Sequence, residues 1–486
     1  MYLGIDLGTS GLKLLLLDPQ HRVQASVDAP LSVQRPRPGW SEQQPHDWWQ
    51  ALQNAVAQLR AAAPEAWQQI RAIGLSGQMH GAVVLDARSE VLRPAILWND
   101  GRAQAQCAEL EQRVPTSRQI TGNLAMPGFT APKLLWLREH EPALFAQIRR
   151  VLLPKDWLRL QLTGEAVGEM SDASGTLWLD VGQRRWSEAM LAACGLDRSH
   201  MPRLVEGSAS SGVLRPSLAQ QWGLPHHVIV AGGAGDNAAS AVGIGAARAG
   251  QGFVSLGTSG VVFLISESFR PAPAQAVHAF AHALPGRWHQ MSVMLSAASA
   301  FGWVTQLTGC ADEAQLAQQV ADLGLAQRAR APVFLPYLSG ERTPHNNPQA
   351  SGVFIGLRAD HTAADLGYAV MEGVSFGLMD GLRAMGHSEP SATPLALVGG
   401  GARSDAWAQL LASGLGCPLH RPQGAHAAAA LGAARLAWLA DGGAEDEVCQ
   451  PLPLAQGFEP EPALRQLLAE RYPRYRALYP ALQNLF

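Results

Sequence analysis

One carboxylate and a loop of glycines and hydroxyls sit together near the start of the chain, in the segment IDLGTSG at 5–11. The five residues LGTSG at 7–11 recur unchanged at 256–260, where Ser255 stands in place of the acid. Glycine, threonine and serine at a tight turn offer backbone N–H groups and hydroxyls to phosphate oxygens, with no bulky side chain in the way. Gly8, Thr9 and Ser10 in the first copy, and Gly257, Thr258 and Ser259 in the second, are therefore candidate phosphate contacts. Asp6 adds what the second copy lacks, a carboxylate suited to a Mg²⁺ ion or its water shell. Lys13 follows the first loop, where it either reaches the same phosphates or lies on a solvent face. A third candidate is Asp236, inside GGAGDN at 232–237. Glycines before it let a ligand approach closely; the plainer reading is an N-cap aspartate.

Known phosphate loops narrow the elements that can carry LGTSG. No lysine follows a glycine, which excludes the P-loop, and Gly4, Gly8 and Gly11 miss the dinucleotide-binding spacing. What remains is strand, glycine turn, strand. The segment LKLLLLD after the first turn suits helix or strand, but GVVFLIS after the second is β-branched, aromatic and short, so both copies are predicted to be β-hairpins. Two such hairpins in one chain predict two related domains facing each other across a nucleotide triphosphate.

Further along, Trp48, Leu52, Val56 and Leu59 share one face of a predicted helix with Pro45 in its first turn. IRAIGLSGQMHGAVVLD reads as strand, turn, strand, placing Gln78, Met79 and His80 at the turn. Val228–Ala231 is a buried-strand run, followed by a glycine turn, Asp236 and an alanine-rich helix. VMLSAASAFGWVTQLTG reads as a small-residue helix. LALVGGGARSDAWAQLLASGLG reads as strand, triple glycine and helix, with Ser404 as N-cap, Trp407, Leu410 and Leu411 buried, and Gly414 as the stop. Bare backbone at Gly400 and Gly401 suits a flat base or ribose, or else tight strand–helix packing. RQLLAERYPRYRALYPAL predicts a packed terminal helix. HAFAH would set His278 and His282 one helical turn apart, with His289 beyond, but nothing follows at zinc-site spacing.

The whole chain bounds these readings. Its 486 residues exceed one ordinary core, and we place the boundary in GIGAARAGQ, giving units 1–246 and 247–486. Hydrophobic residues make up 47% and charged residues 16%, ample for burial. A net charge of −3 gives no footprint for nucleic acid or membrane, and no apolar run is long enough to span a bilayer. The five scattered cysteines read as reduced thiols, so a cytoplasmic protein is the expectation. Lysine is scarce, at three residues against 34 arginines, so each lysine draws notice.

The paired hairpins resemble the actin–hexokinase–Hsp70 superfamily, and within it the chain is similar to the FGGY carbohydrate kinases. GFTAPKLLWLREH (128–140) and GVFIGLRADHTAADLGYAVMEG (352–373) resemble the two family signatures. GQMHG (77–81), LWNDGR (97–102), SDASGT (171–176) and LSGERTPHNNP (338–348) are most similar to the branch that phosphorylates D-xylulose. That resemblance implies an α/β chain of two actin-like (ribonuclease H-like) domains around a central nucleotide cleft. It implies ATP and Mg²⁺ as cofactors and transfer of a phosphoryl group to the 5-hydroxyl of D-xylulose in pentose catabolism. Asp236 then matches the catalytic base, Asn237 a sugar contact, and the GGG segment the adenosine site. Met79 and His80 match ketose contacts beside Gln78, Trp98 a sugar-facing wall, and Asp100 a carboxylate holding neighbouring loops. Asp236 is expected near the ordinary aspartate pKa of about 3.9, because the alcohol proton leaves late in a loose transition state. Partners are a small sugar and ATP, and a homodimer is left open. A kinase for another ketose, polyol or sugar acid is the nearest alternative. An ATPase of the chaperone or filament kind is the more distant one.

Overall fold

The computed structural model describes residues 1–387 and 391–486. Its amino-terminal sheet holds β1 (Tyr2–Leu7), β2 (Gly11–Leu17), β3 (Val23–Pro30), β4 (Ala72–Gly77), β5 (Ser210–Val213), β6 (Ile229–Ala231) and β7 (Ala234–Gly235). The order across the sheet is β5-β6-β4-β1-β2-β3, and β7 continues alongside β4. The second sheet holds β8 (Gly252–Leu256), β9 (Gly260–Ser266), β10 (His278–Ala281), β11 (Trp288–Met294), β12 (Leu395–Val398), β13 (Leu419–Pro422) and β14 (Leu454–Phe458). Its order is β10-β11-β9-β8-β12-β13-β14.

Set side by side, the sheets repeat one plan. In each, an antiparallel hairpin (β1/β2, β8/β9) carries a third antiparallel strand on its outer side. On its inner side it pairs in parallel with a later strand (β4, β12), which pairs in parallel with another (β6, β13). Both LGTSG copies therefore fall at hairpin tips, and LKLLLLD is strand. β2 is almost entirely buried, and such a strand needs no polar alternation. Two covered sheets of this plan make the mixed α/β, actin-like architecture.

The helices that matter for the site are α1 (Pro45–Ala62), α2 (Thr130–His140), α3 (Pro154–Thr163), α4 (Met170–Ser174), α5 (Asp236–Ile244), α6 (Ala298–Leu307), α7 (Ala363–Ala384), α8 (Asp405–Leu415), α9 (Ala428–Ala440) and α10 (Pro462–Leu482). α1 starts on Pro45 and buries Trp48, Leu52, Val56 and Leu59, as its periodicity predicts. Ser404 caps α8 by accepting from Trp407 N–H at 3.3 Å.

Three local readings are corrected. α8 stops at Gly416, which takes the left-handed φ of 67° that glycine tolerates, and runs through Gly414. Val293 and Met294 belong to β11, so the small-residue helix starts only at Ala298. His278 lies on β10 rather than one helical turn from His282, because HAFA pairs with β11 along the sheet edge.

α9 comes from the second half of the chain but packs on the first sheet. A Cβ on Gly4 would lie 1.9 Å from Ala430 O, and one on Gly74 would lie 1.8 Å from Ala433 O. β1 and β4 thus carry glycine where the helix backbone rests on them. α5 and α9 cross equally closely, at Gly243 and Gly432. A further apolar cluster joins Met79, Phe129 and Trp178 of the first half to Phe263, Phe280 and Met291 of the second.

Candidate active site

β1, β4 and β7 end side by side, with Asp6 opposite Ser76 and Gly235 opposite Gly77. Gly232 and Gly233 interrupt the strand formed by β6 and β7. Gly233 has φ +73°, and a Cβ there would sit 2.1 Å from Leu75 O, so this turn admits only glycine. The turn delivers Asp236 as the first residue of α5, with Gly235 as N-cap. Asp236 is therefore no capping aspartate. Its Oδ1 accepts from Asn237 N–H at 2.7 Å and from Asn237 Nδ2 at 2.9 Å, so Asn237 orients the carboxylate.

Burial, then the negative charge of Asp6, push the Asp236 carboxyl up to about 7. The expectation of an ordinary aspartate is corrected: two carboxylates at one dry sheet edge cannot both ionise freely. Burial also raises Asp6, to about 6. Asp6 Oδ1 is buried with no hydrogen-bond partner among the described residues, an oxygen left for a cation or its water. Lys13 faces Asp6 across β1/β2, and its Nζ lies 2.6 Å from Asp28 Oδ1 on β3. In this state its ammonium is paired with that carboxylate.

The first tip is wired to the turn at 78–80. Thr9 Oγ1 donates to Gln78 Oε1 at 3.0 Å and accepts from Trp98 Nε1 at 2.9 Å. Gln78 Nε2 donates to Gln43 Oε1 at 2.9 Å, and Gln43 Nε2 returns to Thr9 O at 2.8 Å. Gln78 is thus buried support for the hairpin, whereas Trp98, 47% exposed, forms a wall. Asp100 is buried and accepts from Ser41 N–H at 2.6 Å and from Arg102 at 2.7 Å and 2.8 Å. Its two oxygens hold loops together.

Met79 packs under the Asp236 turn; a Cβ on Gly235 would touch its Cγ at 2.8 Å. His80 takes φ +67°, a left-handed conformation uncommon outside glycine. Its Nδ1 lies 2.7 Å from Gly175 O. A carbonyl only accepts, so Nδ1 carries the proton and Nε2 is an acceptor. Burial drives the imidazole down to about 3, so it stays neutral. Phe129 packs edge-on at 4.6 Å, and Phe280 of the second half lies 6.2 Å away.

Several contributors go unassigned in the sequence, although Lys133 falls in GFTAPKLLWLREH and Ser171 and Asp172 in SDASGT. Lys133 is fully buried beneath the turn and donates to His80 O and Gly128 O, each at 2.8 Å; burial lowers it to about 7. Lys155 lies 2.8 Å from Asp156, 3.2 Å from Glu169 and 3.1 Å from Asp172, all buried. Burial pulls Lys155 down, and the three carboxylates more than reverse it. Arg159 joins this cluster through Asp156 and donates to Gly232 O, while Ser171 Oγ, bonded to Glu169, accepts from Gly235 N–H at 3.1 Å. The cluster therefore grips both ends of the turn that presents Asp236. The scarcity of lysine was a further signal: two of the three lie buried around this site.

In the second half, Gly257, Thr258, Gly400, Gly401 and Ser404 line a cavity of about 900 Å³. The tip is anchored to α6, with Ala298 N–H donating to Gly257 O at 2.8 Å and Ser299 Oγ to Thr258 O at 2.8 Å. Gly399 and Gly401 pack against Leu256, with Cβ approaches of 2.6 Å and 2.8 Å. Nothing lies within 4 Å of a Cβ on Gly400, so packing does not explain that glycine, whose backbone lies open beside the cavity.

Two sheets of one plan, each with a glycine-tipped hairpin, and paired acids at the end of the first define a phosphoryl-transfer protein of the actin-like class. Residues 1–243 match the N-terminal domain of the FGGY family of carbohydrate kinases, and residues 252–440 match its C-terminal domain. The chain belongs to that family. It is 52% identical to a xylulose kinase of Escherichia coli (strain K12), covering 100% of both chains. Among solved structures, a xyloylose kinase from Brucella ovis matches with a TM-score of 0.96 at 50% identity over 100% of both chains. A xylulose kinase from Rhodospirillum rubrum matches with a TM-score of 0.90 at 29% identity, over 100% of this chain and 99% of that one.

Proposed function

We propose that the chain transfers the γ-phosphoryl group of ATP to the 5-hydroxyl of D-xylulose, with Asp236 as the base. The observation that carries this reading is the Asp6–Asp236 pair. One carboxylate with an unpartnered buried oxygen stands beside another held at about 7, where a general base works best near neutral pH. The full-length likeness to xylulose kinases supports the choice of sugar.

Asp6 would hold Mg²⁺ or its water shell, and the ion would neutralise charge on the phosphates. The tips at Gly8–Ser10 and Gly257–Ser259 grip phosphate oxygens, and Gly400 and Gly401 lie under the adenosine. Trp98 and Met79 wall the sugar and keep water from the phosphoryl group. Neutral His80 accepts a hydrogen bond from a sugar hydroxyl at Nε2. Asp236, aligned by Asn237, takes the proton from the attacking hydroxyl as the new P–O bond forms and the bond to ADP breaks.

The test is ADP release with a panel of D-xylulose, L-xylulose, ribulose, xylitol and glycerol. D-xylulose should give the highest kcat/KM. A different best sugar overturns the substrate, and ATP turnover unaffected by every sugar overturns the kinase reading in favour of an ATPase.

A further inference from the structure

The segment LSGERTPHNNP contains a charged pair, Glu341 and Arg342, that the site described above does not use. Its backbone is fixed to the sheet edge of the second half. Thr343 N–H donates to Val293 O at 3.0 Å, and Thr343 Oγ1 donates to Ala276 O at 2.9 Å. Two residues on, His278 packs on Phe129 at 5.6 Å, and His80 packs on the same ring at 4.6 Å from the first half. That anchoring sets Arg342 beside Ala276 and Val293, near enough for its positive charge to bear on both His278 and His80.

Glu341 feels the Arg342 charge but forms no ion pair with it. Its Oε1 accepts from Leu295 N–H at 3.0 Å and from Arg342 N–H at 2.7 Å. Burial pushes its carboxyl up to about 8, which leaves it mostly neutral at pH 7. Arg342 is half-buried, burial lowers its pKa, and its side chain forms no hydrogen bond or ion pair with any described residue. A guanidinium has five donors and no acceptor, in a planar fork that suits two neighbouring oxygens.

The chemistry of the substrate supplies those oxygens. D-xylulose closes its five-membered ring through the 5-hydroxyl, so that hydroxyl is free for transfer only in the open chain. The open chain carries a true C2 carbonyl beside the C1 hydroxyl, at the end away from C5. The phosphate-gripping tips and the acids lie at the C5 end, and Arg342 lies on the His80–His278 side. We propose that Arg342 is a ketose-specificity residue, its guanidinium donating to the C2 carbonyl and C1 hydroxyl oxygens of the bound sugar. This rests on the function proposed above.

The test compares Arg342→Gln and Arg342→Lys with the wild type. Readouts are KM for D-xylulose, KM for ATP, and the rise in Tm that D-xylulose or xylitol produces without ATP. The wild type is measured first, and if it prefers another ketose, that sugar and its polyol are used. Arg342→Gln should raise KM for the ketose about 30-fold, roughly 2 kcal/mol at 1.4 kcal/mol per tenfold, with KM for ATP within about twofold. Its ketose-induced Tm rise should vanish, while the smaller rise with xylitol, which lacks the carbonyl, changes less. Arg342→Lys should fall between, having lost the fork and kept the charge; it carries the comparison alone if the glutamine variant does not fold. A ketose KM within about twofold of wild type in either folded variant overturns the proposal, as does a rise confined to KM for ATP. A wild type that responds to no ketose overturns both this proposal and the function.

Discussion

Replacing Asp236 with asparagine should make the protein more stable while removing its activity. The carboxyl moves from 3.8 to about 7 on folding. Between those pH values the folded chain holds a proton that the unfolded chain releases, so stability falls as pH rises through this window and levels off above it. With both states ionised, the penalty is about 4 kcal/mol at pH 8; at pH 5 it is about 2 kcal/mol. Asparagine is neutral and keeps the oxygen that accepts from Asn237, so Asp236→Asn escapes the penalty without losing those bonds. Thermal unfolding in EDTA, without nucleotide, should show a higher Tm for the variant, with a clearly larger gain at pH 8 than at pH 5. ADP release with D-xylulose should fall by at least about 10²-fold. An equal gain at both pH values would refute the electrostatic argument, and retained turnover would refute the base.

Asp6→Asn should raise the Mg²⁺ concentration for half-maximal ADP release at least about tenfold, since the unpartnered Oδ1 loses its charge; an unchanged midpoint in a Mg²⁺ titration would remove Asp6 from metal handling. Gly74→Ala drives a Cβ to 1.8 Å from Ala433 O, backbone that cannot turn aside. It should destabilise the chain by about 3 kcal/mol, read as a lower midpoint in urea, and an unshifted midpoint would show that α9 is free to lift from the sheet.

Features written in a few adjacent residues were legible in the sequence. The repeated LGTSG gave two hairpins because glycine turns and β-branched runs act locally, and the glycine run before Asp236 placed it at a strand–helix junction. What escaped depended on partners far along the chain. The pKa of Asp236 is raised by burial and then by Asp6, which neighbours it only through β4, and no spacing in the sequence records either. Lys155, Asp156 and Glu169 look like scattered surface charges until α3 and α4 fold them together with Asp172 of SDASGT. Gly4 and Gly74 read as ordinary strand glycines, because the helix that demands them lies in the other half. The misplaced helix stop at Gly414 shows the same limit: two glycines near one helix end are told apart only by which takes a positive φ.

The repeat also explains why the halves differ. Both keep the glycine tip, as the proposed grip on phosphate from either side requires. Only the first keeps an acid at the strand end, and Asp236 follows a strand in the same sheet. A second acid at Ser255 would add a negative charge beside the phosphate grip of the other tip, where no neighbouring aspartate needs to be set. The second half contributes to chemistry by reaching over instead. α9 rests on β1 and β4, the strands that carry Asp6 and end at Gly77, while β10 lays Phe280 near His80 and His278 on Phe129. A movement of the second half therefore acts directly on the strands and the turn that set the acids and the sugar wall, and one sheet edge can hold all the charge that phosphoryl transfer requires.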